Sequence, residues 1–220
     1  MALAIFDLDN TLLAGDSDYL WGIYLAESGV VDREHHEREN ARFYEEYKAG
    51  NLDIYEFLAF SLRPLAENSP ADLERWRADF VDRIIDPIIT PEARAIVEMH
   101  RRSGDTLMII TATNAFVTAP IAERFGIPHL IATEPERVDN RYTGRVAGVP
   151  SVREGKVTRL RAWLGNNDMK LQDSHFYSDS HNDLPLLELV DHPVAVDPDD
   201  RLRATAAERQ WPVVNLHGRP

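Results

Sequence analysis

The stretch that decides the fold is Ile5-Phe6-Asp7-Leu8-Asp9-Asn10-Thr11, near the amino end of a chain of 220 residues. Residues 2–8 form a short apolar run that ends in acidic residues, which is typical of a strand buried in a parallel sheet. Side chains two apart on an extended segment point to the same side. Asp7 and Asp9 are therefore expected to share one site at the carboxyl end of this strand. Two such carboxylates can take different roles. One can act as a nucleophile or metal ligand, and the other can donate and accept a proton.

Beyond residue 90 the sequence alternates between strand-like and helix-like segments. Strands are predicted at residues 106–110, 129–133, 175–178 and 194–196, and residues 140–148 could form a hairpin. Alternating strands and helices indicate an α/β fold with a doubly wound, mostly parallel sheet. Such sheets bind ligands at the carboxyl ends of their strands.

Residues 16–86 follow a different pattern. Aromatic and aliphatic side chains recur there at helical spacing, and breaks fall at Gly29, Gly50 and Asn68-Ser69-Pro70. This pattern predicts an all-helical block of several short helices, inserted after the first strand. The predicted domains are accordingly a core of residues 1–15 and 88–220 and a helical domain of residues 16–87.

The composition is that of an ordinary globular protein, with 44% apolar and 28% charged residues. The net charge of −13 argues against non-specific nucleic-acid binding, which needs cations to neutralise phosphates. The chain has no cysteine, which excludes disulfides and thiolate chemistry. No apolar run approaches the roughly 18–20 residues that cross a bilayer, and the amino end does not resemble a signal peptide. These features predict a cytoplasmic protein without a nucleic-acid, membrane or obligate protein partner.

Three later segments place polar residues at the ends of predicted strands and helices. Thr111 follows the apolar run 107–110, and Lys156 lies near the start of a predicted helix. Ser178-Asp179-Ser180-His181-Asn182-Asp183 follows the strand predicted at 175–178. A carboxylate that attacks a phosphate dianion needs positive charge and hydrogen-bond donors around it. These segments can supply both.

The opening stretch resembles motif I of the haloacid dehalogenase (HAD) superfamily, D-x-D-x-T-L, and residues 178–183 resemble its motif IV. The resemblance implies a phosphatase with a Rossmann-like core and an inserted helical cap, as in the phosphoserine-phosphatase-like branch. It also implies that Asp7 attacks phosphorus and forms an aspartyl-phosphate intermediate, while Asp9 is the general acid/base. By the same resemblance, Thr111, Lys156 and Asn182 bind the phosphate, and Lys156 offsets the charge on Asp7.

The resemblance further implies a Mg²⁺ cofactor. Asp179 would ligate the ion together with Asp7 and the backbone carbonyl of Asp9. Asp183 would orient the waters bound to the metal. Mg²⁺ suits this set because it prefers oxygen ligands and binds through one or two carboxylates, water and substrate phosphate.

The expected substrate is a small phosphorylated metabolite that carries an amine. Asp16 lies where phosphoserine phosphatases carry an acid that binds the substrate ammonium group, but the arginine that holds the substrate carboxylate has no counterpart before Arg63.

Residues 9–19 and Tyr177-Ser178-Asp179-Ser180 also resemble the bacterial branch of the superfamily that includes histidinol-phosphate phosphatases. This resemblance implies L-histidinol phosphate, which has an amine and an imidazole but no carboxylate, as the favoured substrate, and phosphoserine is the alternative. The helical block is rich in aromatic residues: Tyr19, Trp21, Tyr24, Phe43, Tyr44, Tyr47, Tyr55, Phe57 and Phe60. Most of them are expected to form the small core of the block itself, and a few that line the pocket would suit a flat ring beside an amine. A catalytically silent protein that binds a phosphorylated ligand is the alternative from another functional class.

Overall fold

The structure is a computed structural model that describes residues 2–218. Its strands are β1 (Leu3–Phe6), β2 (Thr106–Asn114), β3 (His129–Thr133), β4 (Pro135–Val138), β5 (Arg141–Val146), β6 (His175–Ser178), β7 (His192–Val196) and β8 (Val213–Val214). The main sheet has six parallel strands in the order β3-β2-β1-β6-β7-β8. The first strand of the chain therefore lies inside the sheet. The predicted α/β fold with a mostly parallel sheet is confirmed.

Ten α-helices lie within residues 2–218. They are α1 (Ser17–Glu27), α2 (Arg33–Ala49), α3 (Ile54–Ser61), α4 (Arg63–Glu67), α5 (Pro70–Phe80), α6 (Pro91–Arg102), α7 (Ala115–Phe125), α8 (Glu154–Asn167), α9 (Leu184–Leu187) and α10 (Asp200–Arg209). Across these residues, each helix is too short or too polar to span a membrane.

Both faces of β1 are covered, which explains its continuous apolar sequence. Ala4 and Phe6 belong to a core cluster that also contains residues of α1, α5 and α7, whereas Leu3 and Ile5 belong to a second cluster with residues of α8 and α9. The alternation of side chains along a strand produces this division. Each face of β1 thus anchors a different layer of helices, and its carboxyl end lies between them.

The helices between residues 17 and 80 form a block that we call the helical segment. Its breaks fall where the sequence predicted them: Gly50 ends α2 with a φ of 77°, and the side chain of Ser69 caps the amino end of α5. Asp16 caps α1 by accepting hydrogen bonds from two backbone amides. The division of the chain into two domains at residues 15/16 and 87/88 stays a prediction.

Three predicted bounds need correction. β1 ends at Phe6 rather than at residue 8, because the chain turns at Leu8–Leu12, where Asn10 has a φ of 56°. β2 continues past Thr111 to Asn114. The hairpin pairs β4 with β5, so the prediction at residues 140–148 covered only its second strand. The turn lies at Asp139 and Asn140, both with positive φ, and these residue types tolerate that conformation in tight hairpins.

Candidate active site

A cavity lies at the carboxyl end of β1, between the parallel sheet and the helical segment. Its polar lining comes from both parts of the chain and consists of Asp7, Asp9, Asn10, Asp16, Asp18, Asn40, Thr111, Thr113, Lys156, Asp179 and Asp183. The carboxyl edge of a parallel sheet is where such folds bind ligands. Every residue that the sequence nominated lines this cavity, except Asn182.

Asp7 lies at the end of β1 and is only 6% exposed. Its backbone amide donates a hydrogen bond to the carbonyl of Tyr177 (2.9 Å), which ties it to the neighbouring strand β6. Its Oδ1 accepts a hydrogen bond from Lys156 Nζ at 2.8 Å. Burial raises the pKa of the Asp7 carboxyl to about 7, although the charge of Lys156 opposes the shift. A positive partner is therefore already in place for a carboxylate that burial would otherwise neutralise.

Lys156 lies in the first turn of α8 and bridges two carboxylates. Its Nζ donates to Asp183 Oδ2 at 2.8 Å as well as to Asp7, and the lysine is 4% exposed. The Ser178 hydroxyl donates to the same Asp183 oxygen at 2.7 Å. Burial alone would lower the pKa of Lys156, but the charges of Asp183 and Asp7 raise it above its ordinary value. The lysine is held charged beside the Asp7 carboxylate.

The Asp9 carboxylate is held by donors from two elements. Its Oδ1 accepts from the backbone amide of Ser17 (2.7 Å) at the start of α1. Its Oδ2 accepts from the hydroxyls of Thr113 (2.7 Å) and Thr111 (3.3 Å) on β2. Sequence reasoning missed Thr113. The sequence does contain a signal for Thr113, because residues two apart on a strand share a face and Thr113 follows Thr111 by two positions. The predicted strand ended at residue 110, so this relation was not used.

Asp179 lies close to Asp7 although 172 positions separate them in the sequence. The Thr11 hydroxyl is 3.3 Å from Asp7 Oδ2 and 3.2 Å from Asp179 Oδ1, and it accepts the Asp179 backbone amide at 3.1 Å. Burial and the neighbouring charges of Asp7 and Asp183 raise the pKa of the Asp179 carboxyl well above its ordinary value. Two carboxylates that share the Thr11 hydroxyl need a positive partner, and of these two Lys156 contacts only Asp7.

Asp16 and Asp18 add two further carboxylates on the side of the cavity formed by α1. Asp16 Oδ1 accepts from the backbone amides of Asp18 (3.0 Å) and Tyr19 (2.9 Å). Asp18 Oδ1 accepts a long hydrogen bond of 3.4 Å from the side-chain Nδ2 of Asn114, at the end of β2. Burial first and neighbouring carboxylates second raise the pKa of Asp16 to about 7 and of Asp18 to about 8. Within residues 2–218, neither carboxylate has a salt-bridge partner, and sequence reasoning missed Asp18.

The wall opposite the sheet is aromatic and apolar. Five of the nine aromatic residues that the sequence singled out in the helical segment line the cavity, together with two aliphatic residues: Tyr19, Phe43, Tyr44, Tyr47, Phe57, Leu52 and Ile54. Others pack inside the protein, as Trp21 does against Phe80. More of these aromatic residues line the cavity than the sequence indicated, since most were expected in the core of the helical block. The site therefore joins an acidic floor to a wall that suits a flat ring.

Asn182 lies beside the cavity rather than in its wall. It lines an adjoining pocket together with Asp179, Ser180 and Tyr47. Its Oδ1 accepts a hydrogen bond from Arg153 Nε at 3.1 Å, and its backbone amide donates to Ser180 Oγ at 3.2 Å. Asn182 was expected to contact the phosphate, and the structure places it at the edge of the cavity.

Gly155 sets how closely the start of α8 approaches the preceding loop. A Cβ at this position would lie 2.1 Å from the carbonyl oxygen of Pro150, which is backbone and cannot rotate away. We expect Gly155→Ala to destabilise the protein by about 2 kcal/mol, which lowers the Tm by roughly 4–8 °C for a chain of this size. Phosphatase activity should also fall, because Lys156 is the next residue.

Gly165, in the same helix, provides the matched control for thermal denaturation. A Cβ there meets no atom within 4 Å. Gly165→Ala should raise stability slightly, since alanine favours helix over glycine by about 1 kcal/mol. Equal Tm values for the two variants would contradict the close contact at Gly155.

Comparison with known proteins agrees with this geometry. A family model described as haloacid dehalogenase-like hydrolase matches residues 4–188. The chain is 47% identical over 218 residues to a histidinol-phosphatase of Neisseria meningitidis serogroup C, covering 97% of this chain and 98% of that protein. It is 32% identical over 220 residues to the phosphoserine phosphatase SerB1 of Mycobacterium tuberculosis, covering 96% of this chain and 70% of that protein.

A crystal structure of a protein of unknown function from Bordetella pertussis Tohama I has the same architecture. It matches with a TM-score of 0.93 at 47% sequence identity, covering 98% of both chains. The match to the family model spans most of the chain, and the curated relatives cover nearly all of it. The chain therefore belongs to the haloacid dehalogenase-like hydrolase family, and it is a phosphatase.

Proposed function

We propose that this phosphatase hydrolyses L-histidinol phosphate through an aspartyl-phosphate intermediate on Asp7. The observation that carries the choice of substrate is the pair Asp16 and Asp18, which have no salt-bridge partner within residues 2–218 and face an aromatic wall in the cavity above Asp7. The similarity to the Neisseria histidinol-phosphatase supports it.

The proposed reaction has two displacements at phosphorus. A carboxylate oxygen of Asp7 attacks, the bond from phosphorus to the ester oxygen breaks, and Asp9 gives its proton to the leaving alcohol. Asp9 then takes a proton from a water molecule that attacks the aspartyl phosphate, which releases inorganic phosphate and restores Asp7. Lys156 keeps positive charge beside the phosphoryl group in both steps. Thr111 and Thr113 hold Asp9 in place. Thr111 and Asn182 also donate hydrogen bonds to the phosphate, as the family resemblance implies.

The residues around Asp7 also fit the proposed Mg²⁺ ion. No group of three or more His, Cys, Asp or Glu side chains within residues 2–218 forms an evident metal site. Mg²⁺ needs fewer, because it commonly binds through one or two carboxylates and keeps several waters. Asp7 and Asp179 would hold it with the Asp9 carbonyl, and Asp183 would support the site. When bound, the ion would offset the charge of the phosphoryl group.

The charges in the cavity favour a substrate with cationic groups and no carboxylate. Lys156 is the only cationic side chain lining the cavity within residues 2–218, and Asp7 and Asp183 already pair with it. A substrate carboxylate would face Asp16 and Asp18 without a partner, and burying an unpaired charge is costly. An ammonium and an imidazole instead pair with these carboxylates and the aromatic rings.

Arg63 does not supply the missing partner for a carboxylate. It lies at the start of α4 with a side chain that is 66% exposed, and it pairs with Glu67 at 2.7 Å. The phosphoserine alternative therefore lacks a residue to hold its carboxylate. The alternative of a catalytically silent binding protein is not favoured, because the chain is a phosphatase. Its cavity also brings together the four residues proposed for catalysis and metal binding: Asp7, Asp9, Lys156 and Asp179. The predictions of a cytoplasmic location and of no obligate partner stay predictions.

A substrate panel tests this proposal. We expect kcat/KM for L-histidinol phosphate to exceed that for phosphoserine by about 100-fold, because only the latter leaves a charge unpaired in the site. Asp18→Asn should lower kcat/KM for L-histidinol phosphate by about 10- to 100-fold, the loss of one charge-assisted hydrogen bond. The same variant should hydrolyse p-nitrophenyl phosphate, which has no cation, nearly as well as the wild type.

Asp32→Asn is the control for the panel. Asp32 caps α2 on the exposed surface of the same helical segment and does not line the cavity. This variant should hydrolyse all three substrates as the wild type does. Phosphoserine ranking equal to or above L-histidinol phosphate in the wild type would overturn the proposed substrate.

A further inference from the structure

Arg153 has a backbone conformation that its residue type rarely adopts. It immediately precedes α8 with φ 49° and ψ −121°. Gly155 N donates to Val152 O at 2.8 Å, which closes a tight turn with Arg153 at its first central position. Glycine is the usual residue at such a position because it has no Cβ. A non-glycine residue there costs about 1–3 kcal/mol, and this strain tends to persist at functional sites.

The side chain of Arg153 connects two parts of the chain. Its Nε donates to Asn182 Oδ1 at 3.1 Å, and its terminal Nη2 donates to the carbonyl of Gly50 at 3.1 Å. Gly50 ends α2, the helix that carries Asn40, Phe43, Tyr44 and Tyr47 of the cavity wall. A cation at a helix carboxyl end is favourable, because the helix dipole is negative there.

A second contact joins the same two regions. The Tyr47 hydroxyl lies 3.2 Å from Ser180 Oγ, and Ser180 Oγ accepts the backbone amide of Asn182 at 3.2 Å. The end of α2 is therefore bound to the loop after β6 at two points, through Arg153 and through Tyr47. Both paths meet at Asn182.

We propose that Arg153 is a positioning residue that fastens the end of α2 over the cavity and at the same time orients the Asn182 amide. With Oδ1 bound to the guanidinium, the donor Nδ2 is the polar atom of the Asn182 amide left for the phosphate, and in this structure it donates only a long hydrogen bond, to Ser180 Oγ at 3.4 Å. The planar guanidinium binds the two acceptors through two separate nitrogens, Nε and Nη2, whereas a lysine offers a single nitrogen. This inference rests on the part of the proposed function that gives Asn182 a role at the phosphate.

Arg153→Gly tests the proposal, because glycine accepts the local φ while removing both hydrogen bonds. We expect kcat to fall about 30-fold for p-nitrophenyl phosphate and L-histidinol phosphate alike, the scale of a small misplacement of a positioning group. The Tm should change little, since relief of the backbone offsets the lost contacts. Amide hydrogen exchange of residues 43–52 should become faster. Arg153→Lys should recover only part of kcat.

Asp168→Gly is the matched control, because Asp168 has a φ of 50° at the other end of α8. It should leave kcat unchanged. A double-mutant cycle with Asn182→Ala isolates the coupling: the double variant should lose less kcat than the product of the two single effects.

The outcomes separate the two proposals. If Asn182→Ala is slow but Arg153→Gly is as fast as the wild type, or if the two effects multiply, the role of Arg153 is overturned. An Arg153→Gly protein that loses activity only in proportion to a fall in Tm overturns it as well. Full activity of Asn182→Ala instead removes the phosphate role of Asn182 from the proposed function.

Discussion

We expect Asp7→Asn to lower kcat by about 10⁴-fold or more for every substrate, because removal of a catalytic nucleophile has an effect of this size in other enzymes. The amide keeps the size of the carboxylate but cannot attack phosphorus. Phosphate release from p-nitrophenyl phosphate and from L-histidinol phosphate in Mg²⁺ buffer measures the effect. Unchanged release would overturn Asp7 as nucleophile.

Stability separates this result from simple misfolding. The pKa of Asp7 is raised to about 7, so its charged form is less favourable in the folded chain than in the unfolded one above that pH. Asn cannot ionise, so the variant avoids this cost, and Lys156 still pairs with Asp183. We expect the Tm of Asp7→Asn at pH 8 in metal-free buffer to equal or exceed that of the wild type. If the variant were inactive and also much less stable, unfolding would explain its loss of activity. That result would contradict this prediction.

Lys156→Met should reduce both activity and stability. Methionine fills a similar space but leaves Asp7 and Asp183 buried without their positive partner. Breaking a buried ion pair in this way costs about 3 kcal/mol or more, which lowers the Tm by roughly 6–12 °C in a chain of this size. We expect kcat to fall about 100- to 1,000-fold, the scale of losing one group that stabilises charge in the transition state.

Lys170→Met is the matched control for this variant. Lys170 is exposed in the loop after α8, and its replacement should alter neither kcat nor the midpoint of urea denaturation. Lys156→Met with wild-type kcat would show that Lys156 does not act on the phosphoryl group. Wild-type stability would show that the two carboxylates do not need it.

Local chemistry along the chain was enough to predict the architecture. The apolar run before Asp7 predicted the central strand because a strand covered on both faces needs apolar side chains at every position. Gly50 and Ser69 marked helix ends because glycine tolerates a positive φ and a serine side chain caps backbone amides. Asp7 and Asp9 both line the cavity, although Asp9 lies in the turn after β1 rather than on the strand itself.

Contacts between segments that are far apart in the sequence could not be predicted from local patterns. Thr11 lies between Asp7 and Asp179 only because β1 and β6 are neighbours in the sheet. Asp18 reads in the sequence as an ordinary residue of a helix start, and its place beside Asn114 depends on how α1 packs against the end of β2.

The opening stretch by itself determined the strand, the side on which two carboxylates lie and the kind of reaction expected there, because these depend on residues that are adjacent in the chain. Only the tertiary structure decided that Asp18 lies near Asp16 with no salt bridge to either among residues 2–218, that Arg63 lies outside the cavity and that Arg153 reaches both Gly50 and Asn182. The physical reason is that charge pairing and burial depend on distances across the folded chain, which packing of the helical segment onto the sheet sets.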